Sequence, residues 1–334
     1  MAVTTREILF ARRPVGEPTL DVFALAERTL RDPGEGEILV RNQWLSVDPY
    51  MRGRMSTARS YVAGFELGKA LQGGAVGEVV ESNAAGFAVG DLVVHDLGWR
   101  EHAVLKAAFA RKLTDPVAPP QAYLGVLGMP GHTAFAGLTR VGEFKAGQTV
   151  FVSAAAGAVG SLVGQLARKL GAARVIGSAG GPEKVRHVID ELGFDAAIDY
   201  KQGDVRGQLK AAAPDGIDVY FDNVGGEHLE AAIARINVHG RIVVCGMISQ
   251  YNATELAAGP RNLMALIATR SRIEGMLVSD HEDLRETFLS TVGPWVAAGD
   301  ITYRETIREG LDAAPQAFLD LLAGANTGKM LVRL

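Results

Sequence analysis

Residues 149–160 read Thr-Val-Phe-Val-Ser-Ala-Ala-Ala-Gly-Ala-Val-Gly, and the order in which their properties change decides the fold. Thr149–Ser153 is β-branched and aromatic, the composition of a buried strand. Ala154–Gly160 is a run of tiny residues with glycines where a strand can turn sharply into a helix, and Val159–Leu170 then takes a helical period. The glycine spacing has a mechanical reason. Gly157 lets the backbone approach a pyrophosphate, the helix start behind it presents unpaired N–H groups and a positive dipole end, and Gly160 permits close helix–strand packing. Ala155 stands where the first glycine of the dinucleotide fingerprint would be, so a glycine-rich turn without a ligand is the alternative. The surrounding charge-free stretch Ala146–Ala167 is long enough to cross about 30 Å of hydrocarbon if it were all helix. Its strand, turn and helix sections argue for a buried βα unit instead.

Outward from this turn, strand and helix alternate. Arg174–Ser178, Ala197–Asp199, Asp218–Asp222 and Arg241–Cys245 read as strands, and Glu183–Leu192, Val205–Ala213 and Glu227–Ile236 as helices. Strict alternation implies an α/β fold with a doubly wound parallel sheet, a Rossmann domain. The first 120 residues differ. Short apolar runs at Glu37–Asn42, Gly74–Glu81 and Asp91–His95, separated by Gly, Pro and Asp, predict a β-rich, partly barrel-like domain. A Pro-rich stretch, Asp115–Pro120, leads into helical material around Ala122–Val141. Thr302–Leu334 holds a helix-like Ala313–Ala323 and a strand-like Lys329–Leu334, expected to return to the first domain. The expected domains are therefore 1–122 with 300–334, and 123–299.

Composition excludes several function classes. The 334 residues carry 34 Lys+Arg against 38 Asp+Glu, dispersed, with no basic stripe for a phosphate backbone, so no nucleic acid partner is expected. Cys245 is the only cysteine, which rules out an intrachain disulfide and fits a reducing, cytoplasmic setting. Residues 1–14 contain Arg6, Glu7, Arg12 and Arg13 and read as a mature soluble start, with no membrane segment. The seven histidines (95, 102, 132, 187, 228, 239 and 281) form no H-x-x-x-H pair, so no metal site is expected. No G-x-S-x-G elbow occurs, and Cys245, in an apolar run, reads as a small buried hydrophobe rather than a nucleophile.

What remains is hydride chemistry carried by a cofactor, with the protein supplying placement and electrostatics. The second strand of the fold ends in Gly177-Ser178-Ala179-Gly180-Gly181, where an NAD-preferring fold carries Asp or Glu. Small residues leave room for a 2′-phosphate, and Lys184 just beyond supplies charge, so NADPH/NADP+ is favoured over NADH. An ordinary solvated helix lysine is the alternative. Reduction of an activated C=C bond needs a hydride at the β-carbon, a hydrogen-bond donor on the carbonyl oxygen and a proton for the α-carbon. Tyrosine suits the donor role.

Five separated motifs carry a family likeness: Ser46-Val47-Asp48-Pro49-Tyr50-Met51-Arg52, Ala154–Gly160, Asp222-Asn223-Val224-Gly225-Gly226, Cys245–Asn252 and Gly324–Met330. In order and over almost the whole chain, they resemble the zinc-independent medium-chain dehydrogenase/reductases. The branch they resemble holds the leukotriene B4 12-hydroxydehydrogenases, prostaglandin reductases, alkenal double-bond reductases and bacterial curcumin reductases. The resemblance implies a GroES-like domain from both chain ends, a Rossmann domain between them, an active-site cleft at their junction and a homodimer. Zinc-containing relatives have Gly-His-Glu where this chain shows Gly64-Phe65-Glu66.

By the same resemblance, Gly157, Ala158, Val159, Gly160 and Ser161 meet the pyrophosphate, and Lys184 and Tyr200 hold the 2′-phosphate end. Asn223 touches the nicotinamide ribose, Cys245, Gly246, Met247, Ile248 and Ser249 run along the cofactor towards Tyr251, and Asn326 reaches it from the C-terminal segment. Tyr251 and Tyr50 are the implied substrate-binding and proton-relay residues, with Met129, Met276, Leu277 and Val278 as apolar walls. Structural alternatives stand beside these: a strand-end tyrosine at 200, a helix-entry Asn223, an Asn-Thr-Gly turn at 326, packing for Tyr50 and plain core for the apolar four. Gly131-His132-Thr133-Ala134-Phe135 departs from the family pattern, which has an aliphatic residue at 132, and His132 reads as a core histidine or a cleft residue. Pocket volume is left to the loops Tyr50–Tyr61 and Ser249–Pro260. The implied activity is NADPH-dependent reduction of 2-alkenals and 2-alkenones, with a quinone oxidoreductase and a non-catalytic NADPH-binding sensor as alternatives.

Overall fold

The computed structural model describes residues 3–255 and 257–334. Residues 1 and 2 of the expected N-terminal start, and residue 256 of the 249–260 loop, lie outside the described residues. In chain order the strands are β1 Thr4–Phe10, β2 Phe23–Thr29, β3 Glu37–Ser46, β4 Ala75–Ser82, β5 Leu92–His95, β6 His102–Lys106, β7 Arg111–Lys112, β8 Thr149–Val152, β9 Arg174–Ala179, β10 Ala196–Asp199, β11 Ile217–Asp222, β12 Ile236–Val244, β13 Arg272–Gly275, β14 Glu305–Glu309 and β15 Lys329–Arg333. They fall into two units, one running to Leu124 and resuming at Glu305–Leu334, the other Gly125–Arg304.

In the first unit, a seven-stranded sheet runs β14-β15-β3-β4-β5-β7, with β6 also paired to β3, and β1 pairs antiparallel with β2. The C-terminal segment is part of this sheet because Leu331 registers on Ser46 across the β15–β3 ladder. Helix Ala314–Leu322 buries Ala314, Ala317, Phe318 and Leu321, an i, i+3, i+4, i+7 stripe. Phe318 meets Phe23 and Trp99 edge-on at 6.1 and 6.4 Å, and those two rings stack at 5.8 Å. Burial of one such ring contributes about 1.5–3 kcal/mol.

The second unit is a six-stranded sheet, β10-β9-β8-β11-β12-β13, parallel at every pairing. Val150, Phe151 and Val152 of β8 are fully buried, as expected of a strand covered on both faces. Parallel strands need crossovers, and helices Gly160–Lys169 (β8 to β9), Val205–Ala212 (β10 to β11) and Gly226–Ile233 (β11 to β12) supply three of them. The helix expected at Glu227–Ile236 stops earlier. Ile236 instead opens β12, because it pairs with Ile217, and the strand kinks at His239 (φ +63°) before Arg241 takes up register on Val219. The helix expected at Glu183–Leu192 is a short α-helix, Pro182–Arg186, that widens into a π turn at His187–Glu191. Among the described residues no helix is long and apolar enough to cross a membrane.

Candidate active site

Strand order in the second unit reverses between β8 and β11, and at such a point a parallel sheet opens a crevice beyond its carboxyl ends. Every site segment expected in this unit except Met129 leaves from that edge. The glycine turn follows β8, Lys184 follows β9, Tyr200 follows β10, Asn223 follows β11, Cys245–Tyr251 follows β12 and Met276–Val278 follows β13.

The turn after β8 is tight. Ala154 takes a left-handed φ of +50°, and Gly157 N donates to Ala154 O at 2.9 Å. A Cβ on Gly160 would lie 2.4 Å from Ala154 O, so only glycine lets the helix start directly over the turn. Ser161 N bonds back to Gly157 O at 3.0 Å. Gly157, Ala158 and Val159 are half-exposed at the positive end of a ten-residue helix. Backbone N–H groups at the positive end of a helix form an anion cradle, which fits a pyrophosphate.

At the end of β9, Tyr200 lies over Gly180: a Cβ there would be 2.7 Å from the phenol oxygen. Lys184 is half-buried, and burial, then the neighbouring Lys201 ammonium, lower its pKa, partly offset by Glu183. The two neighbouring ammonium groups put positive charge at the end of β9, which suits a 2′-phosphate. The nearby acid, Asp199, is committed to its own turn, accepting from Gly181 N at 2.8 Å, Lys201 N at 3.1 Å and Gln202 Nε2 at 3.2 Å.

The centre of the edge is built on Asp222, which sequence reasoning passed over although it opens a quoted motif. Its buried Oδ1 accepts from the Tyr220 hydroxyl at 2.6 Å, Gly225 N at 2.8 Å, Val224 N at 2.9 Å and Ser153 Oγ at 3.2 Å. Among the described residues Oδ2 has no hydrogen-bond partner, and burial raises the pKa of the carboxyl. Ser153 carried no sequence signal, yet its Oγ accepts from Asn223 N and its carbonyl from Asn223 Nδ2, both at 2.8 Å. What Asn223 offers the edge is therefore its side-chain carbonyl.

Cys245–Tyr251 is laced to this loop. Cys245 N and Gly246 N share Asp222 O, and Ser249 bonds Val224 O through both its N and its Oγ. Burial, then Asp222, push the Cys245 thiol up to about 12, which removes it as a nucleophile. Tyr251 closes the turn at Ile248–Gln250, with its hydroxyl over Gly246, where a Cβ would be 3.1 Å away. Met276 N bonds Val244 O at 3.0 Å; Met276 is buried, Leu277 and Val278 are half-buried, and Met129 is 37% exposed at the start of helix Met129–Ala136. His132 in that helix is fully buried and stacked on Phe288 at 5.6 Å. It fills an aliphatic slot as a flat ring.

In the first unit, Tyr50 is half-buried against the apolar core at the start of turn Met51–Arg54. Burial first, then Asp48 and Asp96, raise its pKa, so the phenol keeps its proton. Asp48 accepts from Ser46 Oγ and faces Lys329 Nζ at 3.2 Å. Lys329 is the last residue but one of the Gly324–Met330 motif. Asn326 is buried, and its Nδ2 donates to Gly328 O at 2.8 Å, closing a local turn. Among the described residues no three His, Cys, Asp or Glu side chains gather as a metal would require.

Comparison with known proteins agrees with this architecture. Residues 6–113 match the model of an N-terminal domain of oxidoreductase, and residues 158–292 that of a zinc-binding dehydrogenase. The chain is 44% identical to the NADPH-dependent curcumin reductase of Escherichia coli, over 98% of this chain and 96% of that protein. It is 43% identical to the NADP(+)-dependent 2-alkenal reductase of Nicotiana tabacum, over 99% and 97%. The crystal structure of CurA from Vibrio vulnificus in complex with NADPH superposes with a TM-score of 0.93 at 43% identity, covering 98% of both chains. With relatives this similar over nearly its whole length, the chain belongs to the zinc-independent medium-chain dehydrogenase/reductases, in the alkenal and prostaglandin reductase branch.

Proposed function

We propose that this protein reduces the C=C bond of α,β-unsaturated aldehydes and ketones with NADPH, giving the saturated carbonyl and NADP+. The observation that carries this reading is the single sheet edge on which the anion cradle, the Lys184–Tyr200 pair, Asn223 and the Tyr251 phenol all sit, in a chain whose similar relatives bear reductase names. Bound NADPH would supply the hydride that the β-carbon accepts, and solvent or a relay the proton that the α-carbon takes up.

The protein's own groups do the rest. The N–H groups of Ala158 and Val159 hold the pyrophosphate, Lys184 and Tyr200 the 2′-phosphate, and the Asn223 carbonyl a ribose hydroxyl. Tyr251 donates its O–H to the substrate carbonyl as enolate charge develops, which is the larger electrostatic contribution. Tyr50, kept protonated in the first unit, has the part of a second donor. Asn326 has one group left for the cofactor, its side-chain carbonyl. Met129, Met276, Leu277 and Val278 supply apolar wall. The single cysteine supports a cytoplasmic setting. A homodimer fits the exposed Met264 and Ile267 on the segment that leads into β13, the last strand of its sheet.

The test is oxidation of NADPH and of NADH by purified protein against a 2-alkenal, an aryl enone, a saturated aldehyde and a quinone, with products identified by mass and NMR. A saturated carbonyl formed preferentially with NADPH is expected. Quinone turnover alone would move the protein to the quinone oxidoreductases, and binding without turnover would make it a sensor.

A further inference from the structure

Ser178 and His228 are both buried, and Ser178 Oγ lies 2.7 Å from His228 Nε2. Ser178 is on β9, and His228 is the third residue of helix Gly226–Ile233, so the bond ties the strand that leads to Lys184 to the helix that follows β11. The His228 ring also meets Tyr200 edge-on, with centroids 5.5 Å apart and planes at 70°. Tyr200 itself is 40% exposed, and Gly180 beneath it has no side chain to restrain the ring. His228 is the buried contact that fixes the phenol laterally, and His228 is in turn fixed by Ser178.

We propose that His228 is a positioning residue for NADPH selectivity: held by Ser178, it keeps the Tyr200 phenol over Gly180, in reach of the cofactor's 2′-phosphate. The inference rests on the assignment of Lys184 and Tyr200 to that phosphate. Burial brings the His228 pKa down to about 4, so the ring is neutral near pH 7 and acts through Tyr200 rather than as a third cation. A neutral imidazole also keeps one nitrogen free to accept from the Ser178 hydroxyl.

The experiment is calorimetric binding, without turnover, of adenosine 2′,5′-bisphosphate and of ADP, which lacks the 2′-phosphate, to the full chain. His228→Leu is expected to weaken the bisphosphate about tenfold, equivalent to about 1.4 kcal/mol, while ADP binding stays within about twofold. Ser178→Ala, a smaller change for the fold, shows the same selective loss in reduced form and decides the matter if His228→Leu does not fold. Equal weakening of both ligands, or no change in their ratio, overturns the proposal. Lys184→Ala and Tyr200→Phe separate the two layers. If both leave the ratio untouched, the phosphate assignment fails and the proposal with it; if they abolish the preference and neither His228→Leu nor Ser178→Ala alters it, the role of His228 alone is refuted.

Discussion

Lys329 Nζ lies 3.2 Å from Asp48 Oδ1 with both side chains at 5–6% exposure, and it donates as well to Val47 O at 2.7 Å, 282 residues away in sequence. The last strand of the chain is thereby fastened to the turn that precedes Tyr50. Burial lowers the Lys329 pKa, and Asp48 and then Glu305 oppose that shift.

Removing one partner of a buried pair leaves the other charge without compensation. Lys329→Met is expected to lose about 3–5 kcal/mol of stability, read by urea unfolding, and adding Asp48→Asn should recover part of it. A loss below about 1 kcal/mol, the range of a surface pair, would show that Asp48 finds other compensation.

Lys184→Ala should weaken NADPH and leave NADH nearly unchanged. A charge-assisted hydrogen bond contributes about 1.5–3 kcal/mol, so the Michaelis constant for NADPH should rise on the order of 10- to 100-fold. Equal effects on the two cofactors would remove Lys184 from the 2′-phosphate site.

Tyr251→Phe keeps the ring over Gly246 and removes only the O–H. Turnover of an enone should fall roughly 100-fold, the effect of losing one donor to a developing oxyanion, with NADPH affinity retained. Unchanged turnover would take Tyr251 out of the mechanism.

Acid should destabilise the protein through its buried histidines. His95 receives Leu97 N on Nδ1 at 3.1 Å and pairs its Nε2 with Asn42 Oδ1 at 2.9 Å, an arrangement only the neutral ring satisfies. Burial, then Arg100, lower its pKa to about 3, and burial lowers that of His228 to about 4. The unfolded chain takes up these protons near pH 6.5. Stability from this source is therefore complete above pH 6.5 and declines as pH falls to about 4 for His228 and about 3 for His95, by about 1.4 kcal/mol per pH unit per histidine. Urea unfolding at pH 7, 6, 5 and 4 reads the slope, and a profile flat over that range would contradict it.

Much of the fold was legible because it is written in local pattern. The β-branched run, the tiny residues and the helical period of 149–170 sit side by side, and each is set by the chemistry of a few neighbouring residues. Local pattern also runs the helix of 227–236 past its true end at Ile233. Ile236 continues an apolar helical pattern, and only its pairing with Ile217 makes it the start of a strand.

Sequence by itself determined the alternation that makes a parallel sheet, the glycine turn at 157–160 and the small residues at 177–181 where an acid would select NADH. Tertiary structure alone decided that Ser178 meets His228, that Ser153 turns Asn223 back on β8, that Lys329 closes on Asp48 and that His132 lies flat on Phe288. Periodicity reports which face of an element is buried, but not which distant element covers it. That depends on strand order and register, and in the interior every buried polar group must find its partner among whatever side chains that order brings within hydrogen-bond reach.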